Sequence, residues 1–328
     1  MSGDTCVLVT GATGFVGRHL VAELERRLAG RGQVVPTGFD AALPAGDGTA
    51  LVLDVTDEAA VDEAVRRIQP THLIHLSGIA EPSEAGANRR RAWDINTFGT
   101  MNVAEAVLRR APGCSFIFAG SGLVYGAARE AGRRFAETSP IAPLSDYAVT
   151  KAAAELLLGA MGARGLRSVR LRLFNHTGAG QSEAFVIPRL AAQIARIEAG
   201  LQPPVLKLGN LESVRDFLDV RDVVAAYALA VEHAVELPSA IVLNIASGRG
   251  HRIGEIVENM LALTSVAPTV ESAGGGPGAM PDALVGDPAL AQRLLGWKPR
   301  YGLQQTLQSV LGYWRREISE SPATKRSL

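Results

Sequence analysis

"VLVTGATGFVG", residues 7–17, passes from a short apolar run into glycines at positions 11, 14 and 17. Glycines so placed allow a tight turn, a close approach of the backbone to a pyrophosphate, and close packing of a helix on a strand. The N-terminus of the following helix adds free N–H groups and a positive dipole, which attract phosphate. The stretch therefore predicts a strand, a phosphate-binding turn and a helix, although Gly11 and Gly14 are one residue farther apart than in the commonest dinucleotide-binding spacing.

Short apolar segments alternate with helical patterns through most of the first half of the chain. Strand-length apolar runs begin at residues 6, 34, 51, 72, 114 and 168. Helix-length patterns occupy residues 16–28, 58–68, 96–109 and 147–161. Strands and helices that alternate in this way form a parallel sheet with helices on both faces. We therefore predict an α/β fold with a doubly wound parallel sheet of the Rossmann type.

The second half has a different rhythm, which indicates a smaller mixed α/β region that binds substrate. A polar loop at 175–183 precedes an amphipathic helix at 184–200, a second helical pattern covers 214–234, and a strand-like segment begins at 241. Small helices are expected from residue 287 to about residue 318. The predicted dinucleotide-binding domain comprises 1–173 and 212–247, and the predicted substrate-binding region comprises 174–211 and 248–328.

Length, charge and cysteine content narrow the class of protein. The chain has 328 residues, of which 33 are Lys or Arg and 33 are Asp or Glu, so neither nucleic acid nor an anionic membrane is the expected partner. Cys6 and Cys114 lie in separate apolar runs and indicate buried thiols in a reducing compartment, with no disulfide and no metal site. No apolar stretch reaches about 18 residues and no secretory leader is recognisable, so a cytoplasmic protein is expected.

Two acidic residues are candidates for contact with the adenosine half of a dinucleotide. Asp40 follows the second predicted strand, where an acid receives the ribose hydroxyls of NAD and a basic residue accommodates the 2′-phosphate of NADP. No Lys or Arg accompanies it in "VVPTGFDAALP" (34–44), which favours NAD weakly; Asp40 is equally compatible with a solvated turn. Asp54 either hydrogen-bonds the adenine or caps the next helix through Thr56.

The segment "SDYAVTKAAAE" (145–155) places Tyr147 and Lys151 four residues apart in a helical pattern. Residues at this spacing share one face of a helix. A phenol with a reference pKa of about 10 is a poor acid–base group near neutral pH unless a fixed cation stabilises the phenolate. Lys151 is placed to supply that cation, so the pair is predicted to exchange a proton with a carbonyl or an alcohol. On its own the pair also fits an ordinary surface helix; the glycine turn upstream favours the catalytic interpretation.

A third group is expected at the carboxyl edge of the sheet, where the loops of doubly wound folds gather. In "FIFAGSGLVYG" (116–126), Ser121 directly follows an apolar run. Its alternative role is to form a turn between Gly120 and Gly122. With Tyr147 and Lys151 downstream, Ser121 is predicted to donate a hydrogen bond to the substrate carbonyl.

Residues 10–17, Ser121, and Tyr147 with Lys151 resemble the extended short-chain dehydrogenase/reductase family, many of whose members act on nucleotide-activated sugars. The resemblance covers nearly the whole chain. It sharpens in "RLFNHTGAGQSEAFVIPRLAAQIARIEAG" (172–200), "LKLGNLESVRDFLDVRDVVAAY" (206–227) and "LLGWKP" (294–299), which look like the GDP-4-keto-6-deoxy-mannose reductase and GDP-mannose 4,6-dehydratase branches.

The resemblance implies an enzyme of nucleotide sugars that uses NAD or NADP and forms a homodimer. Together with Asp40, the cofactor-binding residues that the resemblance implies are Gly11, Thr13, Gly14, Phe15, Val16, Gly17, Asp54, Val55, Leu76, Tyr147 and Lys151. It gives Ser121, Tyr147 and Lys151 as catalytic residues. It gives as substrate-binding residues Ser121, Asn175, Val186, Arg189, Lys207 and Arg215.

Departures from the family pattern refine the expected chemistry. Sugar 4,6-dehydratases carry an acid two residues after the catalytic hydroxyl, where this chain has Leu123. Leucine cannot move a proton, so the predicted reaction is reduction of the 4-keto group of a nucleotide-linked 6-deoxyhexose, foremost GDP-4-keto-6-deoxy-D-mannose. Related reductases also carry an arginine in the loop that here reads "GGGPGAMPD" (274–282) and a basic residue near Phe39, which this chain lacks.

Two other functions fit the same residues. A nucleotide-sugar 4-epimerase would use Ser121, Tyr147 and Lys151 and retain its NAD throughout. A cofactor-binding protein of the same family without turnover would keep the fold alone, because a fold does not establish an activity.

Overall fold

The computed structural model describes residues 5–39, 51–128, 132–272 and 283–320. The strands in chain order are β1 (Thr5–Thr10), β2 (Gly32–Gly38), β3 (Leu51–Val52), β4 (His72–His75), β5 (Ser115–Ser121), β6 (Arg167–Leu173), β7 (Asn175–Thr177), β8 (Val205–Leu208), β9 (Val214–Asp219), β10 (Ile241–Ile245), β11 (Gly250–Arg252), β12 (Thr269–Ser272) and β13 (Ala283–Leu284). The α-helices are α1 (Phe15–Leu28), α2 (Glu58–Ile68), α3 (Pro82–Ala87), α4 (Arg89–Trp93), α5 (Thr100–Arg110), α6 (Asp146–Met161), α7 (Val186–Glu198), α8 (Val220–Glu232), α9 (Ile253–Leu261), α10 (Ala289–Leu295) and α11 (Leu303–Glu320). A π-helical turn, Asp94–Gly99, joins α4 to α5.

Within the described residues, seven parallel strands form the central sheet in the order β3-β2-β1-β4-β5-β6-β10. The chain moves outward from β1 to β3 and then returns to the other side of β1 with β4. The reversal leaves a crevice outside the carboxyl ends of β1 and β4, which is where doubly wound sheets bind ligands. This arrangement confirms the predicted α/β fold with a doubly wound, Rossmann-type sheet.

The strands of this sheet are buried on both faces. In β1, Val7 and Val9 belong to the core formed with α1, α8 and α10, whereas Leu8 belongs to the core formed with α2, α5 and α6. Because consecutive side chains of a strand point to opposite faces, a strand covered on both sides reads as a continuous apolar run. The short apolar runs of the sequence are therefore the strands of a sheet between two layers of helices.

A smaller mixed region lies at the carboxyl side of the sheet. Strand β9 pairs with β7, β11 and β13, and β12 pairs with β8. Helices α7, α9 and α11 pack together with β8 around a separate apolar core. No described helix has the length and apolar character needed to cross a bilayer.

The structure differs from the sequence expectation in two of these elements. Residues 214–219, which the helical pattern placed in one helix with 220–234, form strand β9 because three partner strands hydrogen-bond its backbone. The helix begins only after Asp219, whose side chain accepts from the backbone N–H of Arg221 and caps α8. The small helices predicted near the C-terminus include α11, an 18-residue helix.

Candidate active site

A cleft of about 1220 Å³ opens at the crevice between β1 and β4. Its walls come from the carboxyl ends of the central strands, the first turn of α1, the π-helical turn and the corner between β6 and β7. Most predicted site residues line it: Gly11, Thr13, Gly14, Phe15, Val16, Gly17, Asp54, Val55, Leu76, Ser121, Tyr147, Lys151 and Asn175. The fold thus brings segments from six parts of the chain to one concave surface.

The glycine turn is shaped for the close approach of a ligand and of its own backbone. Gly11 has φ +70°, and a Cβ there would lie 2.7 Å from the backbone N of Ser77. A Cβ on Gly17 would lie 2.4 Å from the carbonyl oxygen of Gly11, so any side chain would push α1 away from the strand. Gly14 precedes α1 without a side-chain cap, which leaves the N–H groups of the first helical turn available to an anion.

Asp54 lines the cleft and at the same time stabilises the turn before α2. Its Oδ1 accepts from the backbone N–H and from the hydroxyl of Thr56, at 2.9 and 2.8 Å. The N-cap of α2 is Asp57, which accepts from the N–H of Ala60 at 3.0 Å. Asp54 therefore does not cap α2; its side chain instead stabilises the turn that precedes the helix. Asp40, the other acidic candidate, lies outside the described residues, as does the 274–282 loop.

Ser121, Tyr147 and Lys151 converge on the floor of the cleft. Ser121 ends β5, and its hydroxyl accepts from the N–H of Leu123 at 3.2 Å. Tyr147 and Lys151 lie on the first two turns of α6, whose N-cap Ser145 accepts from the N–H of Ala148. The Nζ of Lys151 donates to the carbonyl of Ala119 at 2.9 Å. The carboxyl end of β5 and the start of α6 thus place all three groups beside one another.

Burial controls the ionisation of the Tyr147–Lys151 pair. Lys151 is 4% exposed, and burial lowers its pKa from 10.5 to about 8. Burial raises the pKa of Tyr147, while a hydrogen bond with the Ser121 side chain acts in the opposite direction. The net direction for Tyr147 is opposite to the lowering that the sequence predicts from Lys151, because desolvation of a phenolate outweighs the other contributions. Near neutral pH the structure therefore holds a protonated phenol beside a charged ammonium.

The π-helical turn supplies a residue that sequence reasoning missed, Asn96. Its side-chain amide accepts from the N–H of Ile79 at 2.8 Å and donates to the carbonyl of Ile79 and to the hydroxyl of Thr150. A Cβ on Gly78 would lie 2.9 Å from Asn96 Oδ1 and 3.3 Å from Lys151 Nζ, so both groups flank Gly78. π-Helical insertions are frequent at functional sites, and Asn96 joins the loop after β4 to the helix that carries the catalytic candidates.

A directed chain of hydrogen bonds supports this turn from below. Thr100 donates to the carbonyl of Asn96 at 2.7 Å, so its hydroxyl accepts from His75 Nε2 at 3.0 Å. His75 Nδ1 then accepts from the hydroxyl of Thr10 at 2.8 Å. Burial and the Lys151 charge lower the pKa of His75 to about 3, which keeps the ring neutral. This series of hydrogen bonds connects the end of β1 to the π-helical turn.

Four predicted substrate contacts do not line the cleft. Val186 opens α7 directly after Phe185, which does line it. Arg189 donates to the carbonyls of Glu183 and Ala184, and Lys207 lies exposed on β8. Arg215 lies on β9 opposite Leu284, a cleft residue, and donates to the carbonyl of Val214.

A buried ion pair ties helix α6, which carries the catalytic candidates, to the sheet. Arg172 on β6 donates from Nε and Nη2 to the carboxylate of Glu155 on α6, with a closest distance of 2.6 Å. The same guanidinium donates to the hydroxyl of Tyr125, which in turn donates to Asn244 on β10. Because both ions are buried and multiply hydrogen-bonded, the pair fixes the position of α6 beneath the cleft.

Comparison with known proteins identifies the family. A model described as the NAD dependent epimerase/dehydratase family matches residues 7–246. The chain belongs to this family. Its membership confirms the resemblance to the extended short-chain dehydrogenases/reductases that the glycine turn, Ser121, Tyr147 and Lys151 carry.

Within the NAD dependent epimerase/dehydratase family, the similar proteins include reductases and epimerases. The chain is 33% identical over 320 residues to the GDP-6-deoxy-D-mannose reductase of Pseudomonas aeruginosa, which covers 96% of this chain and 98% of that protein. It is 27% identical to the UDP-glucose 4-epimerase of Azospirillum brasilense, covering 96% of this chain and 93% of that protein. Similar solved structures include RMD from P. aeruginosa complexed with NADPH, with a TM-score of 0.82 and 31% identity over 95% of this chain and 99% of that chain. The UDP-glucose 4-epimerase of Thermus thermophilus complexed with NAD has a TM-score of 0.83 and 28% identity over 95% of this chain and 99% of that chain.

Proposed function

We propose that the protein reduces the 4-keto group of a nucleotide-activated 6-deoxyhexose, with NADH or NADPH as hydride donor and GDP-4-keto-6-deoxy-D-mannose as the foremost substrate. One observation carries the proposal. The cleft that unites the glycine turn with Ser121, Tyr147 and Lys151 lies in a chain 33% identical over 96% of its length to a GDP-6-deoxy-D-mannose reductase.

The residues present fit a nicotinamide dinucleotide. The absence of side chains at Gly11 and Gly17, together with the uncapped start of α1, leaves room and N–H donors for a pyrophosphate. Asp54 and Val55, at the far side of β1, would hold the adenosine half, and Leu76 would pack beneath the pyrophosphate. When bound, the nicotinamide supplies the hydride.

Three side chains perform the proton chemistry in this proposal. The Ser121 hydroxyl holds the substrate oxygen, and the Tyr147 phenol gives its proton to the alkoxide that develops there. The raised pKa of Tyr147 keeps that proton in place until reaction. The Lys151 ammonium, one helical turn along the same face, stabilises the phenolate that remains. Each role matches a group buried at the cleft floor.

The environment of Ser121 favours reduction over dehydration. Leu123 lines the cleft and its N–H donates to the Ser121 hydroxyl. A residue at this place that removes a proton from the sugar would need a titratable side chain, which leucine lacks. The second candidate is 4-epimerisation, favoured by the 27% identity to a UDP-glucose 4-epimerase over 96% of the chain. An epimerase keeps its cofactor through the cycle, whereas a reductase exchanges it at every turnover.

For the nucleotide end of the substrate, the proposal assigns Asn175, Val186, Arg189, Lys207 and Arg215. Asn175 lies in the cleft, and Val186 and Arg215 adjoin cleft residues through the chain and through strand pairing. Guanidinium groups match the oxygens of a diphosphate well.

The proposal extends to the setting of the enzyme. We assign 1–173 and 212–247 to the dinucleotide-binding domain and 174–211 and 248–328 to the substrate-binding region. We also propose a homodimer in the cytoplasm. Equilibrium sedimentation of the full chain tests the dimer, and a mass of one chain at assay concentration contradicts it.

The test is the oxidation of NADH and, separately, NADPH by the purified protein with GDP-4-keto-6-deoxy-D-mannose. Turnover with either cofactor supports the reductase, and the two rates give the cofactor preference. Tyr147→Phe should lower turnover by about 10²- to 10⁴-fold, while the control Tyr313→Phe, on α11, leaves it intact. If neither cofactor is oxidised and the protein instead interconverts the two carbon-4 epimers of a 4-hydroxy nucleotide sugar, the epimerase replaces the reductase. Binding of both ligands without conversion would leave a cofactor-binding protein.

A further inference from the structure

Two buried polar atoms in the cleft have no hydrogen-bond partner. Among the described residues, six buried side-chain nitrogen or oxygen atoms are unpaired, and two of these belong to cleft residues: Gln181 Oε1 and the hydroxyl of Tyr227. Gln181 is 5% exposed and Tyr227 is fully buried. Buried polar groups of native proteins nearly always find a partner, so two unpaired groups on residues that line one cleft indicate a ligand that completes them.

The hydrogen bonds of Gln181 define what this ligand must offer. Gln181 Nε2 donates to the carbonyl of His176 at 3.2 Å. That carbonyl accepts only, so the amide orientation is fixed and Oε1 is the atom left free. Gln181 therefore requires a donor from the ligand.

Tyr227 offers a donor where Gln181 offers an acceptor. Burial and the neighbouring Tyr147 raise the pKa of Tyr227, so its hydroxyl remains protonated and can donate. The site accordingly presents one acceptor and one donor. An unsubstituted carboxamide, with an NH2 and a carbonyl on one carbon, satisfies both at once.

The position of both residues points to the nicotinamide end of the cleft. The ring of Phe15, the first residue of α1, stacks on His176 with centroids 6.4 Å apart and planes at 7°. Phe15 also packs against the core that contains Tyr227, and Tyr227 lies close enough to Tyr147 for the two phenols to interact electrostatically. These contacts place Gln181 beside the start of α1 and Tyr227 near Tyr147, along the same cleft.

We propose that Gln181 and Tyr227 bind the carboxamide of the nicotinamide ring, with Gln181 Oε1 accepting from its NH2 and the Tyr227 hydroxyl donating to its carbonyl. The inference rests on the proposed use of a nicotinamide cofactor and adds the residues that orient the ring. Holding the carboxamide selects one rotation of the ring and hence the face that meets the substrate.

Calorimetric titration with three ligands tests the assignment without turnover. The ligands are the oxidised cofactor, its 3-acetylpyridine analogue, in which a methyl group replaces the NH2, and ADP-ribose with the matching 2′-substituent, which lacks the ring. Wild-type protein should bind the cofactor about tenfold more tightly than the acetylpyridine analogue, as expected for one buried hydrogen bond.

Gln181→Leu should weaken cofactor binding about tenfold and leave the analogue unchanged, so that the ratio of their dissociation constants falls to about one. Tyr227→Phe should weaken both ring-bearing ligands by a similar factor, because both keep the carbonyl. ADP-ribose should bind all variants equally. The control is Thr177→Val, which removes the unpaired buried hydroxyl at the end of β7, four residues before Gln181 and not lining the cleft; it should leave the ratio unchanged.

The assignment is overturned if Gln181→Leu keeps the wild-type ratio of the cofactor and analogue dissociation constants. It is also overturned if Gln181→Leu binds the cofactor normally and a GDP-sugar poorly, because Gln181 would then bind the substrate. If Gln181→Leu also loses ADP-ribose, the loop has collapsed, and Tyr227→Phe decides: unchanged affinity for both ring-bearing ligands refutes the proposal. Failure of the cofactor assignment is distinct, since wild-type protein would then bind the cofactor no more tightly than ADP-ribose; an epimerase would still show the predicted ratios and fail only the turnover assay.

Discussion

Replacing Lys151 by methionine is expected to abolish reduction and to stabilise the protein at neutral pH. Lys151 is almost fully buried, and burial lowers its pKa from 10.5 to about 8. The unfolded chain therefore holds the lysine proton more tightly than the folded chain. Below pH 8 both states are charged, and the folded state bears the whole cost of burying the ammonium, about 3 kcal/mol. Methionine fills similar space and carries no charge.

The pH dependence follows from the same values. As pH rises from 8 toward 10.5 the folded chain releases the proton first, so the cost falls to about 2 kcal/mol at pH 9 and about 1 kcal/mol at pH 10. Methionine also forfeits the hydrogen bond to the Ala119 carbonyl, which is worth about 1 kcal/mol. The expected net gain of Lys151→Met is thus about 2 kcal/mol at pH 7 and close to zero at pH 10.

Urea unfolding followed by circular dichroism at pH 7, 9 and 10 measures this difference. Lys207→Met, at an exposed lysine on β8, is the control and should change the free energy of unfolding by less than about 0.5 kcal/mol at each pH. A Lys151→Met protein that is less stable than wild type at pH 7, or whose gain does not shrink by pH 10, would refute the reasoning. Agreement would mean that the lysine is retained for chemistry at the expense of stability.

Three further predictions concern the site and its support. Tyr147→Phe should lower kcat by about 10²- to 10⁴-fold with an unchanged dissociation constant for the cofactor, and turnover near the wild-type rate would remove Tyr147 as the acid. Gly30→Ala places alanine at φ +71° in open space and should cost about 1 kcal/mol in urea unfolding. Gly11→Ala, at φ +70°, should cost more, because its Cβ would lie 2.7 Å from the backbone N of Ser77, and it alone should impair cofactor binding; equal binding by both variants would contradict the role of the glycine turn. Glu155→Ala leaves the Arg172 charge buried and should lower the free energy of unfolding by about 3 to 5 kcal/mol. Glu63→Ala, in an exposed ion pair, should lower it by less than about 1 kcal/mol, and similar losses in the two variants would contradict the anchoring of α6.

The sequence predicted those parts of the fold in which local pattern and tertiary environment agree. The glycine turn, the run of Val7 to Val9 and the spacing of Tyr147 and Lys151 are local signals, and the structure places each where the pattern indicates. Residues 214–219 were predicted as helix because their side-chain pattern continues that of α8. Strand pairing with segments up to about 70 positions away along the chain overrides that local preference.

The rest of the candidate site depends on contacts between distant segments. Asn96 supports the cleft only because a π-helical insertion and the loop after β4 meet beside it. Gln181 and Tyr227 lie 46 positions apart, in a loop and in the middle of a helix, and neither has a distinctive motif. Their relevance is visible only as unpaired atoms in a folded cleft.

The central claim, hydride transfer to carbon 4 of the sugar, is tested most directly with a cofactor that carries deuterium at the reactive position of the reduced nicotinamide. The protein is incubated with this cofactor and GDP-4-keto-6-deoxy-D-mannose, and the product sugar is analysed by NMR and mass spectrometry. The account predicts one deuterium on carbon 4 of a GDP-6-deoxyhexose for each cofactor oxidised. Recovery of the 4-keto sugar without deuterium and without oxidation of the cofactor would contradict it.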